Sequence, residues 1–133
     1  MQGINCIAFS HLLLKRLHGL ELPPALYSRE MLDDNTYFRE LQEGEELEVG
    51  DIAFFSRAGI NFREIPSGLN REDYLQTGYP LVHLAIFAGF ATTQSEPLYV
   101  HANHPDRGVS IWPLSKFSRH LRYRELYGIK RAI

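Results

Sequence analysis

The stretch that decides the fold of this chain is LVHLAIFAG, residues 81–89. Its first seven residues are apolar on both alternating faces, except at His83. A strand with two apolar faces is covered on both sides, so it belongs in the middle of a sheet. The stretch predicts a central strand in which a buried His83 shares a face with Ala85 and Phe87, where the first helix would lie over it.

Other strand-like runs lie before and after this central strand. They cover residues 52–56, 98–102, 109–112 and 122–130. Their spacing is too close for crossover helices, so we expect one antiparallel sheet of about five strands.

Helical patterns come before the strands. The strongest covers residues 6–18, with Gly19 as the expected C′ residue. Between residues 24 and 42, Ser28 and Asp34 are candidate caps for one or two further short helices. The expected buried stripe of the first helix consists of Cys6, Phe9, Leu13 and Leu17.

Helices followed by closely spaced strands are typical of the α+β class. We therefore predict a single α+β domain over residues 1–133, in which the first helix packs on the central antiparallel sheet. Residues 57–80 fit neither period and mix glycines and prolines with charged and aromatic side chains. So long a connection, when ordered, is often a lid or binding loop, and an exposed insertion or dimer contact is the alternative.

Composition excludes several classes of function. A net charge of −2 gives no general attraction for phosphate backbones or anionic membranes, so we expect no nucleic-acid partner. No apolar stretch approaches the about twenty residues of a membrane span, and the first residues carry no secretory signal. We expect a soluble, cytoplasmic protein, with export by another route left open. One cysteine excludes an internal disulfide framework.

The single cysteine, Cys6, stands at the start of the first predicted helix. Backbone N–H groups and the helix dipole stabilise a thiolate there, and the thiolate is the nucleophilic form of the side chain. The alternative interpretation is an inert thiol on a buried face.

Two histidines, His83 and His101, stand on predicted strands. If these strands are neighbours, Cys6 supplies a thiol, His83 a base, and either His101 or Asn103 the group that orients the base. Catalysis by a thiol nucleophile needs these three roles. The segment 101–106 lacks the helical spacing of the strongest zinc motifs, so we expect no metal and no cofactor.

Three further histidines are predicted to be surface residues. They are His11 and His18 on the polar side of the first helix, and His120 among arginines.

Four segments carry a resemblance to a known family. GINCIAF (residues 3–9) resembles the nucleophile motif of the NlpC/P60 family of papain-like cysteine peptidases, where Asp-Cys-Ser-Gly opens a helix. LEVGDIAFF (47–55) resembles the family's Pro-Gly-Asp strand start, and VHLAIFAG (82–89) its His-Val-Gly-Ile-Tyr-X-Gly strand. YVHA (99–102) resembles the Ile-His-Ala segment. The four occur in the family's order and span nearly the whole chain.

The resemblance implies a papain-like fold with Cys6 as nucleophile, His83 as base and His101 as the orienting residue. It implies hydrolysis of an amide bond in a short peptide, such as a cell-wall (peptidoglycan) stem peptide, through a Cys6 thioester. Asn5 stands where family members that cut after a free N-terminal amine have an aspartate, so a weak preference for such an amine is expected. The sequence leaves the oligomeric state open.

Two other functions are compatible with these residues. A catalytically silent papain-like domain would serve as a binding or adaptor module, with residues 57–80 as its partner surface. A thiol acyltransferase would pass through the same thioester to an acceptor other than water. The altered motif around Cys6 favours the silent module, whereas the presence of Cys6, His83 and His101 together favours an enzyme.

Overall fold

Six antiparallel strands form one sheet within the part of the chain that the structure describes. The structure is a computed structural model, and it describes residues 6–23, 28–56, 83–91, 96–103, 108–120, 123 and 125–133. Its helices are α1 (Cys6–His18), α2 (Ser28–Asp33) and α3 (Leu114–Ser118). Its strands are β1 (Phe38–Glu40), β2 (Ile52–Ser56), β3 (His83–Phe90), β4 (Pro97–Asn103), β5 (Gly108–Pro113) and β6 (Glu125–Ala132).

The strands are ordered β1-β6-β2-β3-β4-β5, and each neighbouring pair is antiparallel. β3, which contains the apolar stretch, lies between β2 and β4, as its two apolar faces predict. The α+β class and the antiparallel sheet are therefore confirmed. The strand count differs from the expected number because β1 adds a sixth strand at one edge.

Of the one or two short helices expected between residues 24 and 42, α2 is present, and β1 lies where the second would be. The Asp34 side chain caps a turn instead: its Oδ2 accepts hydrogen bonds from the backbone N–H groups of Thr36, Tyr37 and Phe38 at 3.1, 2.7 and 3.1 Å. Phe38 then pairs with Ala132 of β6 and is fully buried. A strand of three residues is too short to show a period, which is why the pattern did not reveal it.

The sheet buries apolar side chains on both of its faces, which we call the α1 face and the α3 face. Successive side chains of β2 and β3 alternate between them. The buried core of the α1 face consists of Leu14, Met31, Phe38, Ile52, Phe54, Leu84 and Ile86. The buried core of the α3 face consists of Ala53, Phe55, Ala85, Phe87, Tyr99, Trp112 and Phe117.

The bounds of α1 match the prediction. Gly19 follows the helix with a φ of 66°, and its N–H donates a hydrogen bond to the Lys15 carbonyl at 2.9 Å. A left-handed residue after the last turn ends the helix and satisfies one of its free carbonyls, and glycine adopts that conformation without steric cost.

The predicted buried stripe of α1 is wrong in part. Ser10 and Leu14 are fully buried, whereas Leu17 is 44% exposed. Leucines at positions 12, 13, 14 and 17 surround more than half of the helix. Their pattern therefore shows that α1 is amphipathic without fixing which leucine faces the sheet.

Arg131 of β6 fastens the sheet to the chain that leads into β2. Its Nε and Nη2 donate to the two carboxylate oxygens of Asp51 at 2.8 and 2.9 Å, and its Nη1 donates to Glu45 at 3.1 Å. Asp51 is buried, so these are charge-assisted hydrogen bonds in a site largely shielded from water. The carbonyl of Asp51 also accepts a hydrogen bond from the N–H of Phe87 at 2.8 Å, which ties β3 to the same point.

Among the described residues, no helix is long and apolar enough to cross a membrane. The predicted lid over residues 57–80 lies outside the described residues.

Candidate functional site

The two histidines predicted to act together lie side by side in the sheet. His83 is the first residue of β3, and His101 lies on the neighbouring strand β4. Continuing the register from Ile86↔Val100 makes the two histidines diagonal neighbours on one face, within reach of each other's side chains. The Nε2 atom of His83 lies 2.7 Å from the Nδ1 atom of His101, which is a short hydrogen bond between two imidazole rings.

Both rings are buried. His83 is 6% exposed and His101 is fully buried, and the planes of the two rings are nearly perpendicular, at 88°. The contact expected between the two side chains is present, and it involves His101. The side chain of Asn103, the alternative partner, lies outside the described part of the structure.

Aromatic rings surround the histidine pair on the α3 face. The ring of Tyr123 stacks on His83 with 4.0 Å between centroids, and Trp112 meets His101 edge-on at 4.3 Å. Phe117 of α3 lies 4.8 Å from His101 and 6.5 Å from His83. These rings exclude water from most of the pair.

Burial decides the charge state of His83. Burial first, and then positive charge at His101 and at His120, lowers the pKa of His83 to about 3. His83 is therefore neutral at neutral pH, with one ring nitrogen that donates a hydrogen bond and one that accepts. A neutral imidazole can take a proton from an acid, provided that the resulting cation is compensated by a nearby anion.

Cys6 is the first residue of α1, as the sequence predicts. Its side chain lies outside the described part of the structure, so the distance between Cys6 and His83 stays a prediction. α1 packs along β3 and β4 and ends with His18 against Gly50, whose N–H donates to the Phe87 carbonyl. α1 is about 18 Å long. The distance along β3 from Phe87 to His83 is about 13 Å, so the helix is long enough to span that part of the strand.

The expectation that α1 lies over His83 is wrong. Leu14 of α1 packs on the α1 face with Leu84 and Ile86, whereas the His83 ring lies on the α3 face with Phe117 and Tyr123. The reason is the two-residue period of a strand: His83 and Leu84 necessarily point to opposite faces. A contact between Cys6 and His83 would therefore have to form at the end of the sheet, around the first residue of β3.

His120 is not a simple surface residue, which corrects another expectation. It is half-buried, stacks on Tyr123 at 4.4 Å and lies 5.6 Å from Trp112. Sequence reasoning also missed Tyr123 and α3, because α3 has only five residues. The recurrence of Phe117, His120 and Tyr123 at intervals of three is the one signal that would have pointed to this cluster.

Comparisons with protein-family models, with curated proteins and with solved structures found no match to this chain. Among the described residues, no group of three or more His, Cys, Asp or Glu side chains is arranged to hold a metal ion.

Proposed function

We propose that the chain is a cysteine hydrolase, a peptidase or amidase, that cleaves an amide bond in a short peptide such as a cell-wall stem peptide. The observation that carries the proposal is the buried hydrogen bond between His83 Nε2 and His101 Nδ1. It gives the predicted base a partner on one ring nitrogen and leaves the other nitrogen to act on the thiol. The resemblance of four ordered segments to the NlpC/P60 peptidases supports the substrate class.

The proposed reaction assigns a distinct role to each of the three side chains. The Cys6 thiol gives its proton to His83 Nδ1, and the sulfur attacks the carbonyl carbon of the peptide. The amine leaves with the proton that His83 held, and water then hydrolyses the thioester with His83 again acting as base. His101 keeps the His83 ring oriented and stabilises the imidazolium when it forms.

This reaction fixes the tautomers of the pair. Nδ1 of His83 accepts a proton only if it carries none, so His83 must hold its proton on Nε2 and donate it to His101 Nδ1. The low pKa of His83 opposes the imidazolium, and the Cys6 thiolate formed in the same step is the anion that offsets this cost. The thiolate and the imidazolium are therefore expected to form together, as an ion pair.

The second candidate is a catalytically silent binding module, which one observation favours. α1 buries its sheet-facing side chains on the face opposite the His83 ring. If the Cys6 thiol follows Leu14 onto the α1 face, no proton passes between Cys6 and His83.

Alkylation of Cys6 by iodoacetamide against pH separates the two candidates. In a hydrolase the alkylation midpoint falls below about 8.5, the value of a free thiol, and His83→Ala raises it. His18→Ala, at the other end of α1, is the matched control and should leave the midpoint unchanged. A midpoint at or above the free value in the native protein would speak for the silent module.

Digestion of purified muropeptides tests the substrate class. The protein should release products that mass spectrometry detects and that Cys6→Ala abolishes, with only a weak preference for stem peptides that have a free N-terminus. If no Cys6-dependent product forms but the alkylation midpoint is low, the proposal of a thiol enzyme stands and stem peptides are excluded as its substrate.

A further inference from the structure

We infer that Tyr123 is a positioning residue for His83, and that the stack His83–Tyr123–His120 holds the base in its productive orientation. The inference rests on the proposed function, because it assigns Tyr123 a role in orienting the proposed base. Nothing in the resemblance assigns a role to Tyr123 or to His120.

Two contacts at right angles hold the His83 ring. The hydrogen bond to His101 Nδ1 lies along the edge of the imidazole, at 2.7 Å. The Tyr123 ring covers one face of the imidazole, with 4.0 Å between centroids and 16° between planes. A hydrogen bond alone restrains one atom, whereas the stack restrains the plane of the ring.

His120 covers the other side of Tyr123. Its ring lies 4.4 Å from Tyr123 with 9° between planes, so the three rings are nearly parallel. His120 also contacts Trp112, and Trp112 meets His101 edge-on at 4.3 Å. Tyr123 is therefore packed between the imidazole rings of His120 and His83. Through Trp112, His120 is also connected to His101, the other member of the histidine pair.

The plane of the ring matters because the χ2 torsion of histidine is broad, so the ring can tilt within one position. Tilting of the His83 ring about χ2 turns Nδ1 away from the thiol and Nε2 away from His101 Nδ1. The activity of a protein whose competent state is partly populated falls in proportion to that population. The Tyr123 stack lowers the population of tilted rings, because a tilt breaks the nearly parallel contact between the two ring planes.

Among the described residues, three charged or titratable groups lie around the stack. They are His101 of β4, His120 after α3, and Lys116 of α3, whose Nζ lies 4.4 Å from the centroid of the Trp112 ring. None of them lies between Tyr123 and His83. A change of Tyr123 to another uncharged residue therefore alters the orientation of His83 without removing any of these three groups.

Two substitutions at Tyr123 test the inference. Tyr123→Phe keeps the ring and loses only the hydroxyl, so it should behave as the native protein. Tyr123→Leu removes the stack, and kcat should fall about two- to tenfold, the equivalent of one aromatic pair, with KM unchanged and a raised alkylation midpoint for Cys6. Tyr127→Leu, a half-exposed tyrosine of β6 outside the cluster, is the matched control.

A measurement on the resting protein separates this inference from the proposed function. Nitrogen-15 NMR of the His83 ring should show one tautomer, with the proton on Nε2, in the native protein and in Tyr123→Phe, and a mixture in Tyr123→Leu. Should the leucine variant not fold by circular dichroism, Tyr123→Met takes its place. A single tautomer that survives loss of the stack would overturn the inference, and so would equal damage by Phe and Leu. Absence of hydrolysis in every variant, with the tautomer change present, would reject the proposed function and leave the positioning role standing.

Discussion

At the scale of the residue, the site depends on a histidine that the fold keeps neutral. The period of two along β3 was enough to predict that His83 is buried beside Ala85 and Phe87, and the order of strands was enough to bring His101 to it. Neither signal places Tyr123 or His120 beside His83, because Tyr123 was assigned to the run 122–130 and the pattern of Phe117, His120 and Tyr123 consists of only three residues. The residues on strands were therefore predictable, and those that cover them were not.

The lowered pKa of His83 predicts acid destabilisation of the protein. In the unfolded chain His83 takes a proton near pH 6.5, but in the folded protein only near pH 3. Between these values the unfolded state binds more protons, so the free energy of unfolding falls as the pH is lowered from about 6.5 to about 3. Above about 6.5 this contribution is fully present.

Urea unfolding of the native protein and of His83→Gln at pH 7, 6, 5 and 4 measures this effect. The free energy of unfolding should depend less steeply on pH in His83→Gln than in the native protein. Equal slopes in the two proteins would show that His83 is protonated in the folded state as easily as in the unfolded one.

At the scale of the element, α1 shows what a helical pattern determines and what it leaves open. Its bounds follow from local chemistry, since Gly19 ends it through its own backbone. Its rotation about its own axis follows from packing, which a chain with leucines on several sides does not specify. The wrong prediction of the buried stripe of α1 also affected the site, because the direction of the Cys6 side chain was inferred from that stripe.

Two leucines of α1 provide a matched test of this rotation. Leu14 is fully buried and Leu12 is 44% exposed, although both are leucines of the same helix two residues apart. Leu14→Ala should reduce the free energy of unfolding by about 2 to 5 kcal/mol, because it removes buried methyl groups and leaves a cavity. Leu12→Ala should change it by less than about 1 kcal/mol. Chemical denaturation of both variants measures the difference, and equal losses would contradict the observed rotation.

At the scale of the whole molecule, the arrangement of helices around the sheet was the hardest feature to predict. β3 is apolar on both faces, so the strand accepts a helix on either side, and the sequence contains no rule that selects one. The structure covers one face with α1 and α2 and the other with α3. The chemistry of Cys6 was predicted from its position at the start of a helix and that of His83 from its strand, whereas their relative placement depends on this arrangement.

The Arg131–Asp51 pair joins β6 to the residue before β2, 80 positions away along the chain. Asp51 is buried, so Arg131→Ala leaves an uncompensated charge there and should cost about 3 kcal/mol or more of unfolding free energy. Arg39 contacts Glu45 at the exposed side of the same network, so Arg39→Ala should have little measurable effect. Denaturant unfolding at one pH compares the two variants. If Arg131→Ala lowers the free energy of unfolding as little as Arg39→Ala does, Asp51 finds another partner when Arg131 is removed.

The position of β6 has a consequence for how the protein is made. β6 is the last of the described strands in chain order, yet it lies between β1 and β2 and is the partner of both. A ribosome adds about 5 to 20 residues per second, so β1 and β2 leave it seconds before the strand that joins them. During that interval the edges of β1 and β2 that β6 will cover have unpaired backbone groups, which other chains can pair with. We therefore expect the nascent protein to aggregate most readily in the interval before β6 emerges.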